Sequence, residues 1–266
     1  MSGYKTSNSI LPFVKSVKNV YGENGSDLII LHKDISDNIL EDVRQILPNV
    51  KLVDYDFLFD QFKIDRNQSV YNIKYIVIYL YIKHILKENY NYILLSDIND
   101  VYIQDDIFSK PGLNDINFFA EKLNLRECYC NLNWYQSCYK VYNTDVILHK
   151  KVVNNGVILA KQSSILEYLK VFIDELCKKI IESKISQADQ AVLTHCVHNY
   201  FNTWDNVTVH NMPNKFCVHL SQDNDQSLLE VVTKITDNKI EYLGLHPCII
   251  HQYNRSKQLK DFVINQ

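Results

Sequence analysis

The start of the chain alternates between short apolar runs and a segment with helical spacing. Apolar runs at Ser26–His32 and Val50–Asp56 have the length of buried strands and are bounded by turn residues. Between them, Ser36–Leu47 opens with capping residues and repeats apolar positions every three or four residues, which predicts a helix that ends before Pro48. Strand, helix and strand at this spacing form a βαβ unit, which indicates a parallel sheet.

The pattern continues with a helix and a strong strand. Val70–Leu86 is apolar on almost every side and predicts a buried helix. Tyr90–Asp97 is a nearly continuous apolar strand, of the kind that is usually central and covered on both faces. The sequence between residues 115 and 145 has no clear period and predicts no element. The later predicted elements are a strand, two helices and two short strands: Asn154–Lys161, Ser163–Ser183, Gln187–Phe201, Val207–His210 and Phe216–Leu220.

Composition adds limits on size and class. The 266 residues are 46% hydrophobic, enough for one sizeable core, and 6 Gly and 5 Pro leave no linker-rich segment. We therefore expect one α/β domain over residues 1–266, with a mixed, mainly parallel sheet flanked by helices. A net charge of −3 argues against a nucleic-acid partner. The first residues lack a signal-peptide pattern and no apolar run spans a bilayer, so a soluble, cytoplasmic protein is expected.

Carboxylates follow the strongest predicted strand directly. Asp97 and Asp100 stand three residues apart, with Asn99 between them. Ligands in open α/β sheets bind at the carboxyl ends of strands, and carboxylates are the ligands that Mg²⁺ and Mn²⁺ prefer. The sequence therefore predicts a divalent metal site here, although Asp and Asn are also common residues in ordinary turns.

Three further polar groups have the composition of a ligand site. Asn154 and Asn155 precede Gly156 and can hydrogen-bond sugar hydroxyls, although a simple turn has the same pattern. Asp189 and Gln190 stand at a predicted helix start, where Asp is also a good cap.

The third polar group lies in the last predicted segment of the sequence. His251 follows a short apolar strand and precedes Arg255 and Lys257. An imidazole suits Mn²⁺, and two cations beside it suit a diphosphate.

The order of these motifs resembles that of the GT-A glycosyltransferases. "SDINDVYIQ", "NNG", "ADQ" and "IIHQYNRSK" follow one another as in the retaining enzymes of glycosyltransferase family 8, the glycogenin and lipopolysaccharide galactosyltransferase type. They are also similar to viral relatives with D-x-x-D-V-x-x-Q and H-Q-Y-[DN]-R, so host-cell cytoplasm is the expected location if the chain is viral. The resemblance implies a single GT-A domain with a nucleotide-binding half (26–110) and an acceptor half that includes a closing metal-binding segment (111–266).

The resemblance also implies roles for residues of the metal and diphosphate end. Asp97 takes the place of the first acid of the family's D-x-D motif, which contacts the ribose or the metal. The second acid of that motif would fall at Asn99, so Asp100 supplies the carboxylate, as in the D-x-x-D relatives. His251 matches the late metal-binding His, and Lys257, with Arg255 nearby, matches the contact to the diphosphate.

On the sugar side, the resemblance places donor binding at Asn154 and Asn155, of which Asn154 is the better match by spacing. Asp189 and Gln190 match the pair beneath the donor sugar and are the expected catalytic residues. The implied activity is metal-dependent transfer, with Mn²⁺ or Mg²⁺, of a sugar from a UDP-sugar to a glycan or protein acceptor. Retention is slightly favoured, and Asp189 is the expected base if configuration inverts.

Two other functions fit the same fold. A nucleotidyltransferase shares the sheet and the metal, but it usually carries a Gly-rich, basic loop after the first strand, and "LIILHKDIS" has none. A catalytically inactive relative that only binds sugar nucleotides is consistent with Asn99 in the place of the usual second acid.

Overall fold

The computed structural model describes residues 7–63, 69–142, 144–183, 188–220, 229 and 231–266. The described helices are α1 (Ser7–Tyr21), α2 (Asp37–Ile46), α3 (Asp56–Phe62), α4 (Val70–His84), α5 (Tyr129–Cys138), α6 (Gln162–Ser183), α7 (Asp189–Asn199) and α8 (Lys257–Ile264). The described strands are β1 (Ile29–His32), β2 (Lys51–Asp54), β3 (Tyr92–Ser96), β4 (Val101–Ile103), β5 (Ile116–Asn124), β6 (Lys151–Lys161), β7 (Val207–His210), β8 (Cys217–His219), β9 (Thr233–Thr236), β10 (Lys239–Tyr242) and β11 (Ile249–His251).

The chain divides into two compact units, and each is built from segments that are distant in sequence. Unit 1 comprises Met1–Phe57, Ser96–Pro111 and Pro213–Gln266. Unit 2 comprises Leu58–Leu95 and Gly112–Met212. The expectation of a single domain, with functional halves that meet at residue 110, stays a prediction.

Unit 1 contains the expected βαβ arrangement after α1. β1 and β2 pair in parallel, with Ile29 opposite Lys51, and α2 connects them. The apolar stripe of α2 is buried because its helical spacing places Ile39, Leu40 and Val43 on one face. The predicted parallel pairing is therefore confirmed.

A second sheet of unit 1 carries His251, one of the expected metal ligands. β11 lies between β4, with which it pairs antiparallel, and β8, with which it pairs parallel. All residues of these three strands are buried. Helix α1 packs on β4 and α2, and the Ser16 hydroxyl accepts a hydrogen bond from the Ile103 amide at 3.2 Å. Residues at the ends of β4 and β11 are consequently held on a rigid support.

Unit 2 contains a four-stranded sheet in the order β3-β6-β5-β7. β5 pairs antiparallel with β6 and parallel with β7, so the sheet is mixed. Helices α4 and α7 contact α6, and α7 also packs on β6. The core between them is aromatic: the ring of Phe118 meets Tyr168 edge-on and stacks on Phe201. The expected mixed α/β architecture is confirmed.

Four of the described elements differ from the expectations: β3, β5, α5 and α7. β3 was expected to be central and covered on both faces, but it is an end strand of its described sheet and all its residues are half-buried. The expectation failed because an apolar run alone does not distinguish central from edge strands. Residues 115–145 hold β5 and α5, which no period indicated. The helix expected from Gln187 is described from Asp189, and Gln187 itself lies outside the described residues.

Candidate functional site

Two chain segments bring Asp100 and His251 together in unit 1. Asp97 and Asp100 lie in the turn between β3 and β4, and His251 ends β11. Val101 is the antiparallel partner of His251, so Asp100, which precedes Val101, lies near His251. The carbonyl of Asp100 also accepts a hydrogen bond from the Gln252 amide at 2.7 Å. Backbone pairing therefore fixes the position of these side chains.

The side chains of Asp97, Asp100 and His251 form a compact cluster. One ligand atom of each lies within 4.8 Å of the others, and Nε2 of His251 is 3.5 Å from Oδ1 of Asp100. His251 is only 3% exposed, and both carboxylates are half-buried. Two carboxylates and one imidazole form a donor set that suits Mn²⁺, so the chemistry of the cluster fits the expected metal. The expected ligands are thus gathered, with Asp100 as the second carboxylate.

A second buried histidine, His219, contacts His251 of this cluster. Nδ1 of His219 is 2.9 Å from Nδ1 of His251, and the two residues are parallel partners across β8 and β11. His219 is 1% exposed, and its Nε2 lies 3.9 Å from Sγ of the buried Cys217. No motif in the sequence indicates His219, because the contact depends on strand pairing.

The residues after His251 turn the chain away from the strand. Gln252 has a φ of 64°, and a 3-10 turn then spans Tyr253–Arg255. Burial raises the pKa of Tyr253 to about 12, and the negative charge of Asp100 acts in the same direction, so the phenol stays neutral. Arg255 and Lys257 are exposed, and Lys257 is the first residue of α8.

In unit 2, Asn154 and Asn155 lie inside β6 rather than before it. The pairing of β6 with β5 shifts between the pairs Phe118–Ile158 and Ala120–Val153, which marks an irregularity in the ladder. The amide of Gly156 donates a hydrogen bond to Oδ1 of Asn154 at 2.7 Å.

The side chain of Glu121 is the centre of a buried amide–carboxylate network. Oε1 of Glu121 accepts hydrogen bonds from Asn154 at 2.6 Å and from Gln190 at 3.0 Å. The same amide nitrogen of Gln190 also lies 2.7 Å from Oδ1 of Asn131. Glu121 and Asn154 are each 1% exposed, so this network is shielded from water.

Asp189 belongs to a second set of contacts beside the first. Its Oδ2 accepts a hydrogen bond from Asn155 at 2.6 Å and lies 3.7 Å from Nζ of Lys74. The hydroxyl of Tyr75 donates to the carbonyl of Asn155 at 2.7 Å. Lys74 and Asp189 are both buried, where an ion pair is shielded from salt. The sugar-side residues expected from sequence are therefore gathered in unit 2.

The sequence pattern singles out neither Lys74 nor Glu121, although each carries a signal. Lys74 is an isolated charge in the apolar first turns of α4, and Glu121 is an isolated acid in the run "INFFAEKLN". A single charge in an apolar element is seldom buried without a partner, so both positions indicate an internal polar contact.

A further cavity of about 640 Å³ lies in unit 2 between α5, α6 and α7. The ring of His195 stacks on Tyr139 with centroids 3.9 Å apart, and its Nδ1 lies 2.8 Å from the hydroxyl of Tyr135. Burial lowers the pKa of His195 to about 4, against the opposing effect of Glu175. The imidazole is therefore neutral at physiological pH.

No helix in the described ranges is long and apolar enough to cross a lipid bilayer.

No protein-family model matches the sequence, and no curated protein matches it significantly. Solved structures do match. The galactosyltransferase LgtC in complex with donor and acceptor sugar analogs is 14% identical, with 97% of this chain and 91% of that chain covered and a TM-score of 0.54. Mouse xyloside xylosyltransferase 1 in its apo form is 13% identical, with 92% of each chain covered and a TM-score of 0.52.

A third matching structure is the bifunctional glycosyltransferase WbbM. It is 14% identical, with 97% of this chain but 47% of the longer chain covered, and the TM-score is 0.54. At such low sequence identity, these matches show a similar fold and do not show a similar activity. The expectation from the motifs is confirmed at that level: the chain has the GT-A glycosyltransferase fold.

Proposed function

We propose that the chain is a metal-dependent glycosyltransferase that moves a sugar from a nucleotide-diphosphate sugar to a glycan or protein acceptor. The observation that carries the proposal is the gathering of Asp97, Asp100 and His251 within 4.8 Å in a chain with this fold. The donor nucleotide is proposed to be UDP, and the ion Mn²⁺ or Mg²⁺.

The metal and diphosphate end is assigned to unit 1. Asp97, Asp100 and His251 would hold the ion, and Lys257 and Arg255 would contact the phosphates. When bound, a divalent cation supplies positive charge to the diphosphate that departs from the sugar. The rigid support of β4 and β11 keeps these ligands in place before the donor arrives, which reduces reorganisation during the reaction.

The sugar side is assigned to unit 2. Asn155 would bind sugar hydroxyls, and the buried Asn154, which is hydrogen-bonded to Glu121 and Gly156, would hold the backbone beside it in place. Asp189 and Gln190 would stabilise the positive charge that develops on the sugar ring. Asn155 and Lys74 both contact Oδ2 of Asp189, so they orient the carboxylate. We propose retention, in which the acceptor hydroxyl attacks from the side of the leaving group.

Binding and turnover of a panel of nucleotide sugars test this function. We expect UDP to raise the melting temperature in Mn²⁺ and not in chelator, because only the metal-loaded site holds the diphosphate. We also expect slow hydrolysis of at least one UDP-sugar. Absence of nucleotide binding with either ion would contradict the proposal.

The panel also separates the other functions. Release of pyrophosphate from a nucleoside triphosphate with a sugar phosphate would identify a nucleotidyltransferase. Metal-dependent binding without hydrolysis or transfer of any donor would identify an inactive relative.

A further inference from the structure

We propose that His219 is a positioning residue for the metal site: it fixes the ring orientation and the tautomer of His251. This inference rests on the proposed function, because it assigns a role within the same metal site. His219 itself lies behind His251, on the neighbouring strand β8.

The contact between the two rings is built into the sheet. β8 and β11 pair in parallel with His219 opposite His251, and the ring nitrogens Nδ1 of both approach to 2.9 Å. The ring planes are 79° apart, so one ring directs an edge nitrogen toward the other. Both side chains are buried, with 1% and 3% exposure, which limits competition by water for this hydrogen bond.

An ion on Nε2 of His251 would fix the direction of this hydrogen bond. Nε2 of His251 is the nitrogen that lies 3.5 Å from Asp100 Oδ1, so it is the nitrogen that can bind an ion. A neutral imidazole binds a metal through its unprotonated nitrogen, and the proton of His251 must then lie on Nδ1. That N–H donates to His219, as outer partners of metal-binding histidines generally accept from the second nitrogen.

The remaining proton lies on the far side of His219. Since Nδ1 of His219 accepts, its proton must be on Nε2, which lies 3.9 Å from Sγ of Cys217. A thiol sulfur is a weak acceptor and is compatible with this N–H. With an ion on Nε2 of His251, the contacts among Cys217, His219 and His251 are therefore consistent with one arrangement of protons, in which the lone pair of Nε2 faces the ion beside Asp100.

Two substitutions of His219 separate positioning from packing. His219→Leu removes the acceptor and keeps the site apolar, whereas the side-chain oxygen of His219→Asn can occupy nearly the same place as Nδ1. His198→Leu, at a half-buried histidine of unit 2, is the matched control for loss of one imidazole. Mn²⁺ affinity is measured without nucleotide, by calorimetry and by the electron spin resonance signal of free Mn²⁺.

We expect His219→Leu to weaken Mn²⁺ binding about 10- to 100-fold, the range typical of outer partners of metal ligands. The Mn²⁺ affinity of His219→Asn should stay within a few-fold of that of the parent. The control, His198→Leu, should bind Mn²⁺ as tightly as the parent does. Parent-like affinity in folded His219→Leu would overturn the inference and leave the proposed function intact. If the parent itself does not bind Mn²⁺, the proposed function fails, and this inference fails with it.

A measurement on the parent protein does not depend on the folding of any variant. Nitrogen-15 correlation spectra of the histidine rings in the protein saturated with Mg²⁺, a diamagnetic ion, report the tautomer of the loaded site directly. We expect His251 with its proton on Nδ1 and His219 with its proton on Nε2. A spectrum with the His251 proton on Nε2 would overturn the inference.

Discussion

At the scale of single residues, Asp100 supplies the second carboxylate of the cluster with Asp97 and His251. Its Oδ1 lies 3.5 Å from His251, and its carbonyl is bonded to the Gln252 amide. Both the side chain and the backbone of Asp100 therefore connect the turn after β3 to the end of β11.

Asp100→Asn should abolish most of the metal-dependent binding of UDP. The amide keeps the size of the side chain but removes the charge, and we expect Mn²⁺ affinity to fall by more than about tenfold, since even outer partners of ligands contribute that much. Calorimetry with Mn²⁺ and UDP measures the effect. Asp261→Asn, at an exposed acid of α8, is the control, and equal affinity of the two variants would contradict the assignment.

His195 should make stability depend on pH. Its pKa is about 4 in the folded protein and 6.5 in its ordinary state, so between these values the unfolded chain binds more protons. The free energy of unfolding should therefore fall as pH decreases from 6.5 toward 4.

His195→Asn removes the titrating group and keeps a partner for Tyr135. We expect the loss of unfolding free energy between pH 7 and pH 5 to be smaller by about 1 kcal/mol, a value reduced for the partial exposure of the ring. Urea denaturation at the two pH values measures it. The exposed His149→Asn should behave as the parent does, and an unchanged pH dependence in His195→Asn would disprove the prediction.

The residues that sequence reasoning finds are those carried by short, ordered motifs. Asp97 and His251 are identifiable because each stands at the end of an apolar strand, and Asp100 because it stands three residues after Asp97. His219 and Glu121 cannot be identified in this way, because their partners depend on strand pairing, which a single sequence does not reveal.

At the scale of elements, the interruption of the β5–β6 ladder falls at Asn154 and Asn155. Asn154 contacts Glu121 and Asn155 contacts Asp189, although the two asparagines are adjacent in sequence. In a regular strand adjacent side chains point to opposite faces, and here the two asparagines contact two separate sets of partners.

Asn154→Asp tests how much the fold depends on this arrangement. The substitution keeps the acceptor for the Gly156 amide but brings a second carboxylate to a buried oxygen that now lies at 2.6 Å. We expect the free energy of unfolding at pH 7 to fall by about 3 kcal/mol.

Part of that loss should return near pH 5, because protonation of one carboxylate relieves the repulsion. Urea denaturation at both pH values measures the effect, with the exposed Asn133→Asp as control. Equal stability of the two variants would show that the network contributes little.

Elements with a clear period are predictable from the sequence, and those without one are not. α6 and the β1–α2–β2 unit lie where their apolar positions indicate. β5 carries Glu121 in its apolar run, and the short α5 buries only part of one face, so neither gives a readable pattern.

At the scale of the whole molecule, the proposed function predicts that turnover depends on a divalent ion. Activity on a UDP-sugar should disappear in chelator and return when Mn²⁺ is added in excess. Bound ligand should also stabilise the fold, by about 2.7 kcal/mol at a concentration one hundred times its dissociation constant. Full activity in chelator would exclude the metal-dependent mechanism.

The backbone hydrogen bond between Gln252 and Asp100 has a consequence for the catalytic cycle. It joins the two ligand-bearing segments through the main chain, so their alignment does not depend on an ion that bridges the carboxylates and the imidazole. On the proposed function, Asp97, Asp100 and His251 would keep their relative positions whether or not they hold a cation. Exchange of the ion between turnovers would then require no refolding of the site.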